Sequence, residues 1–299
     1  MNALEQGFML LSSNLGVHGR RVLTVPQLRQ LAQRVQQMPR PDREGALTQQ
    51  DLLSLGYSRE MSRRILVLLE DGDLLEYYLN KGRMAGCVPV TRVSEAYPLQ
   101  LRKRVGLDSP GVLWAKGDLS LFHAPRIALV GSRQLREENR AFARQVGCCA
   151  ARQGYVLVSG NARGADQTAQ NACLEAGGKV ISVVSDSLAD HTPRENVLYL
   201  SENSFDEAFS AQRAISRNRV IHALGEKTFV AQSDYQTGGT WDGTVKNLRF
   251  GWSRVYCYAD GSPAQRLLSD MGADTIDLDA LTNISALPGS AGGLLEEEV

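Results

Sequence analysis

The stretch VSGNARGAD, residues 158–166, leaves an apolar run through backbone that is almost all small or polar. Two other apolar runs end alike: RIALVGS delivers Gly131, Ser132 and Arg133, and KTFVAQS leads on to Thr237, Gly238, Gly239 and Thr240. The chemistry open to such residues is anion recognition. Glycine lets a ligand approach the main chain closely, and N–H groups at a helix start carry partial positive charge. Ser159, Gly160, Asn161 and Gly164 fit that role, while Arg133 and Arg163 add forked donors that match phosphate oxygens. A fourth cluster, Arg213 and the run from Ser216 to Arg219, opens a helix ahead of the KTFVAQS strand. If that helix starts on the same edge, Arg217, Asn218 and Arg219 join the patch. Asp166 most simply caps the helix that it begins. Trp241, beside the glycine turn, can stack on a base or pack its helix onto a sheet.

Catalytic readings of the same residues lack parts. Gly164 is followed by Ala165 and Asp166, so the G-x-x-x-x-G-K-[ST] loop of nucleotide triphosphatases is absent. Gly160 and Gly164 give G-x-x-x-G where a dinucleotide site needs G-x-G-x-x-G, although Asp186 stands near the position of a ribose-binding acid. The four histidines, His18, His123, His191 and His222, form no metal-ligand spacing, and none lies in the three turns. Ser159 is not in a G-x-S-x-G elbow. No residue is assigned a catalytic role, and neither a metal nor a cofactor is expected.

For the three turns to meet, the chain needs a parallel sheet. RIALVGS, YVLVSG, KVISVVS, KTFVAQS and VYCYAD are short, β-branched runs, most of them separated by helical stretches such as ENRAFARQVGCCAARQ, ADQTAQNACLEAG and WDGTVKNLRFG. Strands alternating with helices imply right-handed crossovers and an α/β, Rossmann-like parallel sheet with helices on both faces. Ligands of such sheets bind at the carboxyl ends of the strands, where all three turns lie. Upstream, Val25, Leu28, Leu31 and Val35 recur at helical spacing, and residues 47–79 give two further amphipathic segments broken at Gly56. The expected organisation is a small helical domain over 1–85, a Rossmann-like domain over 86–285 entered through an irregular, proline-bearing connector, and a flexible tail over 286–299.

The 299 residues carry no net charge, so a polyanion must be met by a local patch and not by the overall field. Hydrophobic residues at 43% and charged residues at 22% are those of an ordinary folded protein. No apolar run reaches membrane-spanning length, and the opening MNALEQGFMLLSSNLG has an acid where a signal peptide needs basic residues. A cytoplasmic location without a membrane partner is expected. Cys87, Cys148, Cys149, Cys173 and Cys257 are odd in number and lack a C-x-x-C pair, so they read as small core residues.

The joint order GSR, SG-x-A-R-G-x-D, R-N-R-x-I and a Gly-rich turn resembles the DNA-processing protein A (DprA/Smf) family. YPLQLRKRVGLDSPGVLWAKGDLSLF, residues 97–122, looks like that family's entry into its Rossmann domain, and the resemblance runs over roughly residues 97–260. It implies single-stranded DNA binding, usually by dimers, with delivery of the recombinase RecA onto that DNA during uptake and recombination. The matching positions are Gly131, Ser132, Arg133, Ser159, Gly160, Arg163, Gly164, Asp166, Arg217, Asn218 and Arg219, whose arginines would hold successive phosphates. Asn161 departs from an apolar position of the family, Gln170 from a common histidine, and Gly238-Gly239-Thr240-Trp241 from a Ser-Gly-Ser turn. Nothing after residue 288 resembles the winged-helix domain that many members carry. The Gly-rich turn is also similar to that of a wider superfamily including the lonely-guy phosphoribohydrolases, whose P-G-G-x-G-T-x-x-E glutamate would fall near Val245, Lys246 and Asn247 here. Two alternatives therefore stay open: a binder of a free nucleotide or nucleotide-derived signal in defence or stress, and an N-glycosidase of nucleoside monophosphates.

Overall fold

A computed structural model of the chain describes residues 1–39 and 46–289. Among these, the chain opens with helices α1 (Ala3–Ser12), α2 (Val25–Gln36), α3 (Gln49–Ser54), α4 (Arg59–Glu70) and α5 (Gly72–Met84). Reciprocal capping boxes, Asn2 with Glu5 and Thr48 with Asp51, satisfy the first N–H groups of α1 and α3. The stretch after Gly56 is two helices and not one, since the chain breaks again at Asp71. The expected connector is also structured. It holds the edge strand β1 (Val88–Thr91), where Pro89 is tolerated, and helix α6 (Leu99–Val105).

Beyond them follow β2 (Val112–Lys116), β3 (Arg126–Val130), α7 (Glu137–Arg152), β4 (Val156–Ser159), α8 (Ala165–Glu175), β5 (Lys179–Val183) and β6 (Val197–Glu202). The chain continues through α9 (Ala211–Ser216), α10 (Asn218–Leu224), β7 (Lys227–Val230), α11 (Gly238–Phe250), β8 (Arg254–Tyr258), α12 (Pro263–Asp270) and β9 (Asp274–Ile276). The described strands form one sheet in the order β1-β2-β6-β5-β4-β3-β7-β8-β9. From β6 to β9 every pair is parallel, as the Rossmann-like reading requires. The sheet is nevertheless mixed: β2 runs antiparallel to β6 and β1 antiparallel to β2, an extension that sequence reading did not supply.

Alternation along the strands sends side chains to two cores. Ala128, Val130, Val158 and Ile181 meet Val220, Ile221 and Leu224 of α10 on one face, and Trp241, Val245 and Leu248 of α11 pack there too. Ile127, Leu129, Leu157 and Phe229 meet Phe142 and Val146 of α7 and Ala169 and Cys173 of α8 on the other. Helices α1 and α5 cover β2 through Met9, Leu75, Tyr78, Trp114 and Phe205. All five cysteines are free, and Cys148 alone among them is not fully buried. No helix of the described residues is long and apolar enough to cross a membrane.

The chain builds β3, β4, β5 and β6 outward on one side, then returns to lay β7 against the other flank of β3. Helices α7 and α8 lie on one face and α10 and α11 on the opposite face. The carboxyl ends of β3 and β7 therefore flank a topological switch point, the crevice where open α/β sheets bind ligands. At the far end, residues 286–288, read as the start of a tail, are attached: Leu287 packs against the core and Tyr256 Oη donates to the Pro288 carbonyl at 2.6 Å. The rest of that tail, from residue 290, lies outside the described residues.

Candidate functional site

The three small polar turns meet at this crevice. Ser132 N donates to the Gln232 carbonyl (2.9 Å), joining the turn after β3 to that after β7, and Ala165 N donates to the Ser132 carbonyl (3.2 Å), joining the turn after β4. The arginine cluster lies on the same edge. Arg217, at the junction of α9 and α10, donates from Nη2 to the Gly160 carbonyl (3.0 Å) and lies 3.9 Å from Asp166 Oδ2. Its neighbour Asn218 accepts from Arg217 Nη1 (3.1 Å) and donates through Nδ2 to the Gly239 carbonyl (2.9 Å). One pair of side chains thus clamps the second and third turns together.

The close approach of the turns accounts for three of the glycines. A Cβ on Gly160 would overlap the Arg217 guanidinium. At Gly164, whose φ of +85° already favours glycine, a Cβ would fall 2.5 Å from the Ser132 and Arg133 carbonyl oxygens. At Gly131 it would lie 2.5 Å from the Ala165 Cβ. These three make room for the protein's own atoms, which corrects the reason for which sequence reading chose them. Gly238 and Gly239 differ, since a Cβ there would meet nothing nearer than 3.7 Å and 3.5 Å respectively.

The charges divide in the same way. Arg217 is only 7% exposed. Burial lowers its pKa, opposed by the carboxylates of Asp166 and Glu202. Burial pushes the Asp166 carboxyl up, and the Arg217 guanidinium and the Ala162 N–H (3.2 Å) pull it back. Arg219 is engaged by Glu202 Oε2 (3.2 Å), the Asp108 carbonyl (2.9 Å) and the Ser216 carbonyl (2.7 Å). Arg213 donates to Ser201 Oγ at 2.8 Å and pairs with Glu207 at 3.7 Å. Expected to hold phosphates, Arg217 and Arg219 instead turn most of their donors to partners inside the fold, and Arg217 Nε is buried without a partner among the described residues. Arg133 and Arg163 do not: both are exposed, and among the described residues neither makes a hydrogen bond or ion pair.

The helix starts are likewise unequal. The first turn of α8 is closed by the Ser132 carbonyl, and Asp166 accepts from Ala162 N just before it. At α11 the Thr237 side chain makes no cap, so the first-turn N–H groups through Gly239 and Thr240 stay available to an anion. Trp241 is half-buried against the core, and Tyr235, which sequence reading passed over, stands 53% exposed with its ring centroid 6.1 Å from that of Trp241. Gln232 was also missed; it accepts from Arg136 N (2.9 Å) and donates to the Gln134 carbonyl (3.0 Å), bracing the turn that carries Arg133. Its only signal was its place near the end of the KTFVAQS run, just past β7.

Positions relevant to the catalytic alternatives are engaged elsewhere. Asp186 bonds to His191 Nε2 at 2.9 Å, Lys246 pairs with Asp242 at 2.8 Å, and Asn247 is buried against His222 and Ser253. Among the described residues no three His, Cys, Asp or Glu side chains gather as metal ligands would.

Comparison with known proteins adds a family to this geometry. The family model of the DNA recombination-mediator protein A matches residues 89–246, more than half of the chain. The chain belongs to that family. The DNA processing protein DprA of Bacillus subtilis is 30% identical over 162 residues, covering 50% of this chain and 53% of the relative. That of Streptococcus pneumoniae is 31% identical over 156 residues, covering 49% and 54%. The chain thus spans about half the length of the curated relatives it matches. Among solved structures, DNA processing protein A from Streptococcus pneumoniae aligns with a TM-score of 0.64 at 23% identity, over 85% of this chain and 95% of that one. The Helicobacter pylori protein, described for its single-stranded DNA binding mode, aligns at 0.56 and 21% identity, over 66% and 94%. Both likenesses place the fold.

Proposed function

We propose that this chain binds single-stranded DNA along the strand-end rim, without catalysis, and acts in DNA uptake and recombination as a mediator that delivers a RecA-type recombinase onto the strand. On this reading it works as a cytoplasmic homodimer, with a helical domain over 1–85 and the strand-binding domain over 86–285. The observation that carries it is the pair of exposed, unpartnered cations, Arg133 and Arg163, on neighbouring turns at the switch point. Ser132, Asn161, Thr237, Gly238, Gly239 and Thr240 supply hydroxyl, amide and main-chain donors around them, the mixture that fixes a nucleic-acid backbone. Gly131, Gly160, Gly164, Asp166, Arg217 and Asn218 hold the turns that present those donors, while Ser159 closes β4 in the core and Arg219 ties α10 to Glu202 of β6. Relatives named DNA processing proteins support the same direction.

Labelled oligo-dT titrated against the purified chain at several salt concentrations, with thymidine monophosphate as competitor, tests this. Tight, salt-sensitive binding that the mononucleotide does not displace is expected, because affinity built on several phosphates falls steeply with salt. Absence of strand binding, or full displacement by the mononucleotide, would overturn the reading and leave a small-nucleotide site at the same crevice.

A further inference from the structure

Far from the sheet edge in sequence, helix α4 and the loop between α1 and α2 border an open cleft of ≈ 730 Å³ whose lining includes five arginines, Arg20, Arg21, Arg59, Arg63 and Arg64. Two of the five build it. Arg20 donates to the Leu10 (2.7 Å), Ser13 (2.6 Å) and Leu68 (3.2 Å) carbonyls and pairs with Asp71 at 2.9 Å, tying the loop to the end of α4. Arg64 donates to the Arg21 (2.8 Å) and Val22 (2.5 Å) carbonyls, fixing the backbone from which the Arg21 side chain projects.

The other three are left over. Arg21, Arg59 and Arg63 are exposed, and among the described residues none makes a hydrogen bond or ion pair. Arg59 and Arg63 stand four residues apart on one face of α4, and Val67, the next residue at that spacing, lines the same cleft at 51% exposure. Two acids also line it: Asp71 is neutralised by Arg20, which leaves exposed Glu60 against three free guanidiniums. In a chain of zero net charge, that is a local concentration of positive charge.

We infer that this cleft is a second contact surface for the phosphate backbone of single-stranded DNA, distinct from the strand-end rim. The inference rests on the strand-binding reading above. Forked guanidiniums suit phosphate oxygens, and the exposed Val67 among them offers sugar and base an apolar surface that inorganic phosphate would not need. Part of the cleft falls on the amphipathic segments legible over residues 47–79, but only the fold separates the arginines that build from those that remain.

The test compares full-length chains carrying R21A/R63A or R133A/R163A with the wild type, each titrated with long oligo-dT across a salt series. Losing two phosphate contacts reduces the magnitude of the slope of log affinity against log salt by ~1.4, at ~0.7 per phosphate on a single strand. The cleft pair and the rim pair are each expected to show that loss, with unchanged thermal melting because all four side chains are exposed. A cleft variant that binds like the wild type overturns this inference and leaves the rim reading standing. A rim variant that binds like the wild type, beside a weakened cleft variant, overturns the rim reading and keeps the cleft. A wild type that binds no strand overturns both. R21Q/R63Q, which keeps side-chain bulk, replaces the alanine pair if that pair melts early.

Discussion

Arg217 and Arg163 lie on one sheet edge and are the same residue type, yet physical chemistry assigns them opposite work. A guanidinium at 7% exposure needs partners inside the fold, and Arg217 has the Gly160 carbonyl, Asn218 and Asp166. Removing it leaves the buried Asp166 carboxylate without its countercharge, so Arg217→Ala is expected to lower unfolding free energy by about 3–5 kcal/mol in a urea melt. Gly160→Ala should act in the same direction, because the new methyl displaces the guanidinium. Arg163→Ala touches no internal partner; stability should stay within about 0.5 kcal/mol. Its salt slope for oligo-dT should shrink by ~0.7. An Arg217→Ala chain as stable as the wild type would refute the clamp. Sequence spacing put both arginines in one phosphate-holding set because it reports where a residue lies along a strand end. Their difference depends on how the junction of α9 and α10 docks over Gly160, a contact made between residues 57 positions apart. The turns themselves were legible, since glycine and small polar residues after an apolar run carry a local signature that burial does not.

Helices α10 and α11 are joined to Ser253, just ahead of β8, by a buried polar chain that contains a titratable group. Asn247 accepts from Ser253 N through Oδ1 (2.8 Å), so its Nδ2 faces His222 Nδ1 at 3.0 Å as donor, and the imidazole must accept there in its neutral form. Full burial, with a smaller contribution from Arg217, pulls the His222 pKa from 6.5 down to about 3. The unfolded chain therefore takes up a proton below pH 6.5 that the folded chain refuses until about pH 3. Stability rises with pH across that window and is lost as pH falls through it, by about 1.4 kcal/mol per unit, or about 2 kcal/mol between pH 6.5 and 5. Urea melts at pH 7 and pH 5 should show His222→Gln losing about 2 kcal/mol less than the wild type over that interval. Equal losses would mean that the helices do not hold the ring neutral. At this scale the sequence was uneven. Runs of β-branched residues flanked by long amphipathic stretches announced β3, β4, β5, β7 and β8, together with α7, α8 and α11. Strands β2 and β6 went unread although both are largely buried, because a lone five- or six-residue apolar run has no periodicity of its own and is defined by the neighbour it pairs with.

The opening helices and the sheet share one interface, and this decides how the molecule behaves as a unit. Tyr78 of α5 packs edge-on against Trp114 of β2 (5.4 Å between centroids) and beside Phe205 (4.9 Å). Its Oη lies 3.1 Å from Ser204 Oγ and donates to Asp206 Oδ1 at 3.2 Å. Lys81, one turn on, pairs with Asp206 at 2.6 Å, and Gly82 lies so close that a Cβ would stand 2.5 Å from the Trp114 ring. Trp114 is completely buried in a cluster to which α1 contributes Met9 and α5 contributes Leu75 and Tyr78. Tyr78→Ala opens a cavity at this junction, while Asp206 keeps Lys81 and Ser204 as partners, at an expected cost of about 3–5 kcal/mol. If helices and sheet form one cooperative body, far-UV circular dichroism and tryptophan fluorescence will report one coincident transition in the wild type, and Tyr78→Ala will shift the whole of it. Two transitions, with only the first moved by the substitution, would mean that the helices melt away from a sheet that stands alone. The distinction bears on binding. A single cooperative body holds the arginine cleft and the strand-end rim at a fixed separation, so a strand touching both is constrained in path and length. Independently melting parts would let the two surfaces bind as tethered sites, and affinity would then follow the effective concentration set by the tether.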